Sequence, residues 1–196
     1  MDASDADLTE HDAARRVLTA ELREHALVIG EVTLTSGAVA QYYVDAKRAI
    51  LRPSGFAALA LLVAAQAREW GATAVGGMTM GADPVACAAL AGGAQAKAYF
   101  VRKDAKAHGL QRRIEGPPLS SEDRCVVVED VVTTGGSTLA AIAALHQANL
   151  HICGVISVLD RLAGGGEAIE AAAGAPYLAL TTIEEIYPDR PDRAGR

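Results

Sequence analysis

Apolar positions along this chain fall into short blocks whose period changes repeatedly. Across residues 7–25, Leu8, Val17, Leu18 and Leu22 recur at helical spacing and predict a first helix. Residues 30–37 and 41–45, rich in Val, Thr and Tyr and separated by a glycine-containing turn, predict two short strands. Pro53 marks a helix start that residues 56–70 continue as far as Gly71. Strand and helix patterns then alternate: strand 73–78, helix 84–90, strands 97–101 and 125–128, helix 138–148, strand 152–159, helix 167–173 and strand 177–180. Such alternation predicts an α/β fold with a mostly parallel sheet covered on both faces. One domain spans 1–196, with a small N-terminal unit over about 7–45 and a core over about 53–180. Residues 1–6 and 188–196 are expected to be loose ends. Ligands of parallel sheets bind at the carboxyl ends of strands, in the loops that lead to helices.

Composition narrows this picture. Apolar residues make up 51% of the chain and aromatics only 4%, as suits Val-rich strands and Ala-rich helices. The formal net charge of −6 argues against a nucleic-acid surface, so any phosphate site must be local, built from a few cations and backbone N–H groups. Cys87, Cys125 and Cys153 are widely spaced and form no CxxC pair, so neither a disulfide framework nor a zinc site is expected. His11, His25, His146 and His151 lack ligand spacing and read as surface or structural residues. Residues 1–10 are acidic without the apolar stretch of a signal peptide, and no apolar run approaches the roughly 20 residues that span a bilayer. A cytoplasmic protein without a membrane partner is expected.

The most informative stretch is Cys125-Val-Val-Val-Glu-Asp-Val-Val-Thr-Thr-Gly-Gly-Ser-Thr138. An apolar run leads into two acids, Glu129 and Asp130, and a hydroxyl- and glycine-rich loop leads into a helix. Gly135 and Gly136 permit a tight backbone whose N–H groups point at one spot. Thr133, Thr134, Ser137 and Thr138 add hydroxyl donors, and the helix N-terminus adds its dipole. That combination cradles an anion such as a phosphate monoester. The acids upstream suit the cis-diol of a ribose, or a metal bound to it. A Gly/Ser/Thr turn by itself is an ordinary capped strand–turn–helix junction; the adjacent acids, which repel each other, are what argue for a ligand.

This pattern resembles the signature of type I phosphoribosyltransferases. The resemblance implies that family's fold, a central mostly parallel sheet flanked by helices with a small N-terminal hood. In the family the loop holds the 5′-phosphate of phosphoribosyl pyrophosphate (PRPP) and the acids contact the ribose hydroxyls. It therefore implies PRPP contacts from Glu129, Asp130, Val131, Val132, Thr133, Thr134, Gly135, Gly136 and Ser137.

A second stretch, Arg102-Lys-Asp-Ala-Lys-Ala-His-Gly109 followed by Arg112 and Arg113, is the densest cationic run of an acidic chain, and its glycines and prolines argue for a loop. In isolation it reads as a solvated charged loop. Arg102, Lys103, Lys106, His108 and Gly109, with Ile114-Glu115-Gly116, resemble the catalytic loop of the orotate phosphoribosyltransferase family. There the loop enters a neighbouring subunit's site, which implies a homodimer with shared active sites. It also implies PRPP binding by Arg102, Lys103, Lys106 and His108, and leaving-group stabilisation by Lys106, Lys103 and His108. Residues 34–37 and 42–45 resemble the family's hood, and Leu159-Asp160-Arg161 the segment whose arginine meets the orotate carboxylate, so Arg161 and Thr133 are the implied orotate contacts. Taken alone, Asp160–Arg161 reads as a surface ion pair. Tyr42 and Tyr43, on one strand, must face opposite sides, so at most one meets a ligand.

Residues 81–84 occupy the place of the family's pyrophosphate loop; taken alone they read as a helix start with Asp83 as cap and Pro84 in first position. Many relatives carry lysine in this loop and in the hood, where this chain has residues 80–83 without one and Thr35. The implied reaction joins orotate to PRPP to give orotidine 5′-phosphate and pyrophosphate, in the route to UMP. Mg²⁺ is the implied cofactor, carried by PRPP, near Asp130, rather than held by protein side chains. A purine or uracil phosphoribosyltransferase, or a regulator that binds PRPP without turning it over, shares the 129–137 loop and remains open on sequence alone.

Overall fold

A computed structural model describes residues 3–33, 39–103 and 113–195. The elements in chain order are α1 (Ala3–Glu21), a π-helical turn (Leu22–Ala26), β1 (Leu27–Thr33), β2 (Val39–Val44), α2 (Lys47–Ile50) and α3 (Pro53–Glu69). There follow β3 (Ala74–Met78), α4 (Ala82–Ala91), β4 (Lys97–Val101), β5 (Ile114–Glu115), β6 (Arg124–Val132) and α5 (Gly136–Gln147). The last are β7 (His151–Asp160), α6 (Gly165–Ala173), β8 (Tyr177–Thr182), α7 (Ile183–Ile186) and a 3₁₀ turn (Pro191–Gly195). β1 and β2 form a separate antiparallel ribbon. The main sheet has six strands in the order β5-β4-β3-β6-β7-β8, all parallel except the short edge strand β5.

The predicted α/β architecture is present and each predicted strand and helix has a counterpart; the first strand, expected over 30–37, runs over 27–33, with positions 34–37 outside the described residues, and four further differences are local. The first helix begins at Ala3, ahead of the apolar stripe. At the other end the 3₁₀ turn is anchored rather than loose: the buried Arg190 pairs with Glu184 at 3.5 Å and Asp192 at 3.2 Å. β6 continues through both acids to Val132, still in register with β7, so the acids lie within a strand and not past its end. Helix α4 starts at Ala82 with Gly81 before it, so Asp83 is not its cap; the Asp83 carboxylate instead accepts the Thr79 hydroxyl at 2.7 Å. Pro84 is tolerated there because first-turn N–H groups have no helical partner. The short α2, α7 and β5 are too brief to leave a periodic trace.

From β3 the chain moves outward to β4, then crosses to β6 on the other side of β3. The direction of winding reverses between β3 and β6, and a reversal opens a crevice at the strands' carboxyl ends. What brings β3 so close to its neighbours is its own sequence, Ala-Val-Gly-Gly-Met, poor in side-chain bulk for a central strand. A Cβ at Gly76 would lie 1.9 Å from the Tyr99 carbonyl oxygen and 2.6 Å from its ring. The ring of Tyr99 is fully buried, and its hydroxyl donates to the Val126 carbonyl at 2.9 Å. Two apolar layers close the sheet. One, under α1, α3 and α4, includes Leu18, Leu22, Leu59 and Ile156. The other, under α5 and α6, includes Tyr99, Val127, Leu145 and Ile169. Replacing Tyr99 with Phe deletes one buried hydrogen bond at unchanged shape, and should lower stability in urea unfolding by about 1 kcal/mol.

Candidate functional site

The site is built on the carboxyl end of β6. Both acids there are buried, Glu129 at 5% and Asp130 at 8% exposure, and burial of charge demands compensation. Asp130 finds it in Lys47, the first residue of α2, whose Nζ lies 2.8 Å from Asp130 Oδ2 and 3.0 Å from Asp45 Oδ1. Partial burial opposes charge on Lys47, but the hydrogen bond and charge of Asp130 outweigh it and hold the ammonium above the ordinary lysine range. Among the described residues Glu129 has no cation of its own. It accepts the Thr138 hydroxyl at 3.1 Å and the Asp130 backbone N–H at 3.2 Å. Burial first, and the neighbouring Asp130 charge second, push its carboxyl well above the usual carboxylate range.

Across the crevice, Gly81 approaches both acids. A Cβ there would lie 2.4 Å from Asp130 Oδ1 and 3.0 Å from Glu129 Oε1, so only glycine fits without displacing a carboxylate. Beyond β6 the chain turns through Thr133, Thr134 and Gly135, the last with φ +80°, into the N-terminus of α5. Residues 133–138 line a recess of about 240 Å³ in which the loop hydroxyls and the α5 N-terminus converge. Glu129, Val131, Thr133 and Ser137 also line a cavity of about 400 Å³, closed on other sides by Lys47, residues 79–81, Tyr43, Lys103 and Arg161.

Arg161 follows β7. Its backbone N–H donates to the Val132 carbonyl at 2.8 Å, which ties this turn to the start of the 133–138 loop. Asp160 is buried and does not pair with Arg161; it accepts the Leu162 N–H at 2.7 Å and the Tyr177 hydroxyl at 2.9 Å. Arg161 is thereby free to point elsewhere, and its Nη2 donates to the Tyr42 hydroxyl at 2.9 Å. The two tyrosines do face opposite sides. Tyr42 is buried, whereas Tyr43 is 40% exposed and lines the cavity.

No family model matches the chain. An orotate phosphoribosyltransferase of Corynebacterium glutamicum is 46% identical over 174 residues, which is 88% of this chain and 94% of that protein. The chain belongs to the orotate phosphoribosyltransferase family. Solved structures agree. That of the Mycobacterium tuberculosis H37Rv orotate phosphoribosyltransferase with Fe(III) dicitrate superposes with a TM-score of 0.79 at 41% identity, over 89% of this chain and 99% of that one. Its complex with 5-phospho-α-D-ribosyl 1-diphosphate superposes with a TM-score of 0.74 at 36% identity, over 88% and 98%.

The residues implied by resemblance to the orotate phosphoribosyltransferase family are thus placed as follows. Glu129, Asp130, Val131, Thr133, Ser137 and Arg161 open on one cavity, and Thr134, Gly135 and Gly136 on the adjoining recess. Val132 is buried and contributes its carbonyl to Arg161. Lys103 faces the cavity, while Arg102 lies against a neighbouring hollow with Met80 and Phe100, 3.7 Å from Glu115. Lys106, His108 and Thr35 lie outside the described residues. Sequence reasoning missed Lys47, two residues past the Tyr-Tyr-Val-Asp run where the hood pattern ends; a lone lysine in an Ala/Arg context carries no signal until the fold sets it against Asp130. It also missed Tyr42 as the partner of Arg161.

A carboxyl whose folded pKa is raised releases its proton at lower pH when unfolded, so its contribution to stability is present in acid and lost as pH rises through the folded value. Comparing wild type with Glu129→Gln isolates this group. The stability of wild type relative to the variant should fall as pH rises from the ordinary carboxylate range towards neutrality, measured by urea unfolding at several pH values.

Proposed function

We propose that this chain transfers the ribose 5-phosphate of PRPP to orotate, giving orotidine 5′-phosphate and pyrophosphate in the formation of UMP. The observation that carries the reading is the meeting, at one crevice, of a buried acid pair, an anion recess at a helix N-terminus and a guanidinium at the rim. Each suits one part of the reacting pair. The recess at 133–138 suits the 5′-phosphate, with N–H and hydroxyl donors and no competing acid except Glu129 at its edge. Glu129 and Asp130 suit the ribose hydroxyls. Arg161 suits the carboxylate of orotate, whose ring would lie near Thr133.

In this mechanism the C1–oxygen bond to pyrophosphate breaks with its electron pair leaving on the pyrophosphate, and the deprotonated ring nitrogen of orotate bonds to C1 from the opposite face. The protein holds the two reactants in line and balances charge on the leaving group. Lys103, with Lys106 and His108 from the same segment, supplies that charge, and Arg102 adds to it. Lys47 stands beside residues 79–81 and gives this side of the cavity a cation although the loop itself carries no lysine. Mg²⁺ bound to PRPP would offset the negative charge of the pyrophosphate. Among the described residues no three His, Cys, Asp or Glu side chains converge on one point. The two-carboxylate donor set therefore suits an ion that brings most of its oxygen ligands from substrate and water.

Two copies share their sites in this reading, the segment that continues past Lys103 in one completing the cavity of the other, in a cytoplasmic setting. The direct test is a spectrophotometric assay of orotate consumption with PRPP and Mg²⁺, with hypoxanthine as a competitor that should have no effect. No turnover by folded protein overturns the reading. Lys106→Ala should lower kcat by about 10²-fold or more with little change in orotate KM, and Arg161→Ala should act chiefly on orotate KM. Mixing the two variants at equal concentration, with orotate near its wild-type KM so that each alone is weakly active, should restore about a quarter of wild-type activity, because half of randomly assorted dimers carry one intact site. Recovery of none argues that each subunit works alone.

A further inference from the structure

The guanidinium of Arg161 is gripped by residues from near both ends of the chain. Its carbon Cζ sits 4.9 Å from the centroid of the Tyr42 ring, while Nη2 donates to the same residue's hydroxyl at 2.9 Å. The Tyr42 hydroxyl in turn donates to Asp192 Oδ2 at 3.0 Å, and that oxygen lies 4.0 Å from Arg161 Nη2. Behind Asp192 stands Arg190, whose side chain is only 4% exposed and whose Nε lies 3.2 Å from Asp192 Oδ1. Tyr187 packs edge-on against Tyr42, with ring centroids 5.3 Å apart. The segment 187–192 thus closes over the outer side of the Tyr42–Arg161 pair, and Arg161 Nε is buried with no hydrogen-bond partner among the described residues.

A relay of this kind has a purpose beyond anchoring the chain end. An unrestrained arginine loses rotamer freedom when a ligand fixes it, and a stacked, hydrogen-bonded one has lost that freedom beforehand. The phenol can pass the restraint on only while it keeps its proton. Burial raises the Tyr42 pKa, and although Arg161 pulls it the other way the net shift is upward. Asp192 itself is half exposed, so its pair with Arg161 at 4.0 Å contributes little to folding.

We propose that Asp192, acting through the Tyr42 hydroxyl, is a positioning residue that fixes Arg161 for the carboxylate of the pyrimidine substrate, so that the chain's last turn belongs to the orotate subsite. The proposal rests on the orotate reading above. It competes with a simpler effect of opposite sign, in which a nearby acid merely offsets the charge of Arg161 and weakens carboxylate binding.

The test uses the full chain with Asp192→Ala, Asp192→Asn and Tyr42→Phe, assayed with each substrate varied in turn. Asp192→Ala should raise orotate KM about tenfold, the scale of one hydrogen bond to a charged group, and leave PRPP KM and kcat within about twofold. Asp192→Asn keeps an acceptor for the phenol and should recover most of the loss, whereas Tyr42→Phe should match or exceed Asp192→Ala. An orotate KM that stays constant or falls in Asp192→Ala overturns the proposal. So do equal rises in both KM values, or an Asn variant as impaired as the Ala variant. Wild-type protein without orotate turnover removes the proposed function and this inference together; normal wild-type turnover with unmoved variants removes this inference alone.

Discussion

Two neighbouring carboxylates buried at the end of a central strand are the constraint around which this molecule is arranged. Like charges on adjacent residues of β6 repel, and their burial removes the water that would screen them. The fold answers unequally. Asp130 receives the Lys47 ammonium from α2, whereas Glu129 receives a hydroxyl from α5 and one backbone N–H, and its carboxyl is pushed towards the neutral form. Several local choices follow from that demand. α2 must sit against the crevice to deliver Lys47, Gly81 must lack a side chain to admit the carboxylates, and α5 must begin where Thr138 reaches Glu129. An arrangement so dependent on mutual compensation is held for what binds there, since an apolar strand end would be easier to bury.

The cavity divides its chemistry by position. Its floor is acidic, its recess offers N–H and hydroxyl donors at a helix N-terminus, and its rim carries Lys47, Lys103 and Arg161. Sugar hydroxyls, a phosphate and further anionic groups can each meet a complementary surface without any of them bridging like charges. The division arises from topology. Winding reverses between β3 and β6, so the loop after β3, the end of β6 and the turn after β7 all open on one side of the sheet.

Residues 80–83 carry no lysine, and the cation beside them comes from elsewhere in the chain. Lys47 belongs to a different element and shares the cavity wall with residues 79–81. Arg161 shows the same principle. Its neighbour Asp160, the partner that adjacency suggests, turns inward to hold Leu162 and Tyr177, and the guanidinium is met instead by Tyr42 from β2 and Asp192 from the chain's last turn.

By itself the sequence determined the alternation of strand and helix, the parallel sheet, and the loop at 129–138, because each is a local property: periodicity, turn chemistry and charge within a dozen residues. Its errors were local too. The acids read as a strand end because charge interrupts an apolar run, although pairing with β7 carries β6 on to Val132. Asp83 read as a cap because helix onset is weakly encoded, and residues 188–196 read as loose because a single salt-bridged turn leaves no period. Only the tertiary structure decided that Lys47 faces Asp130 across 83 positions and that Arg161 meets Tyr42 across 119. Contacts at such separations are chosen by how the sheet winds and which elements it brings to one edge, and no spacing along the chain records that.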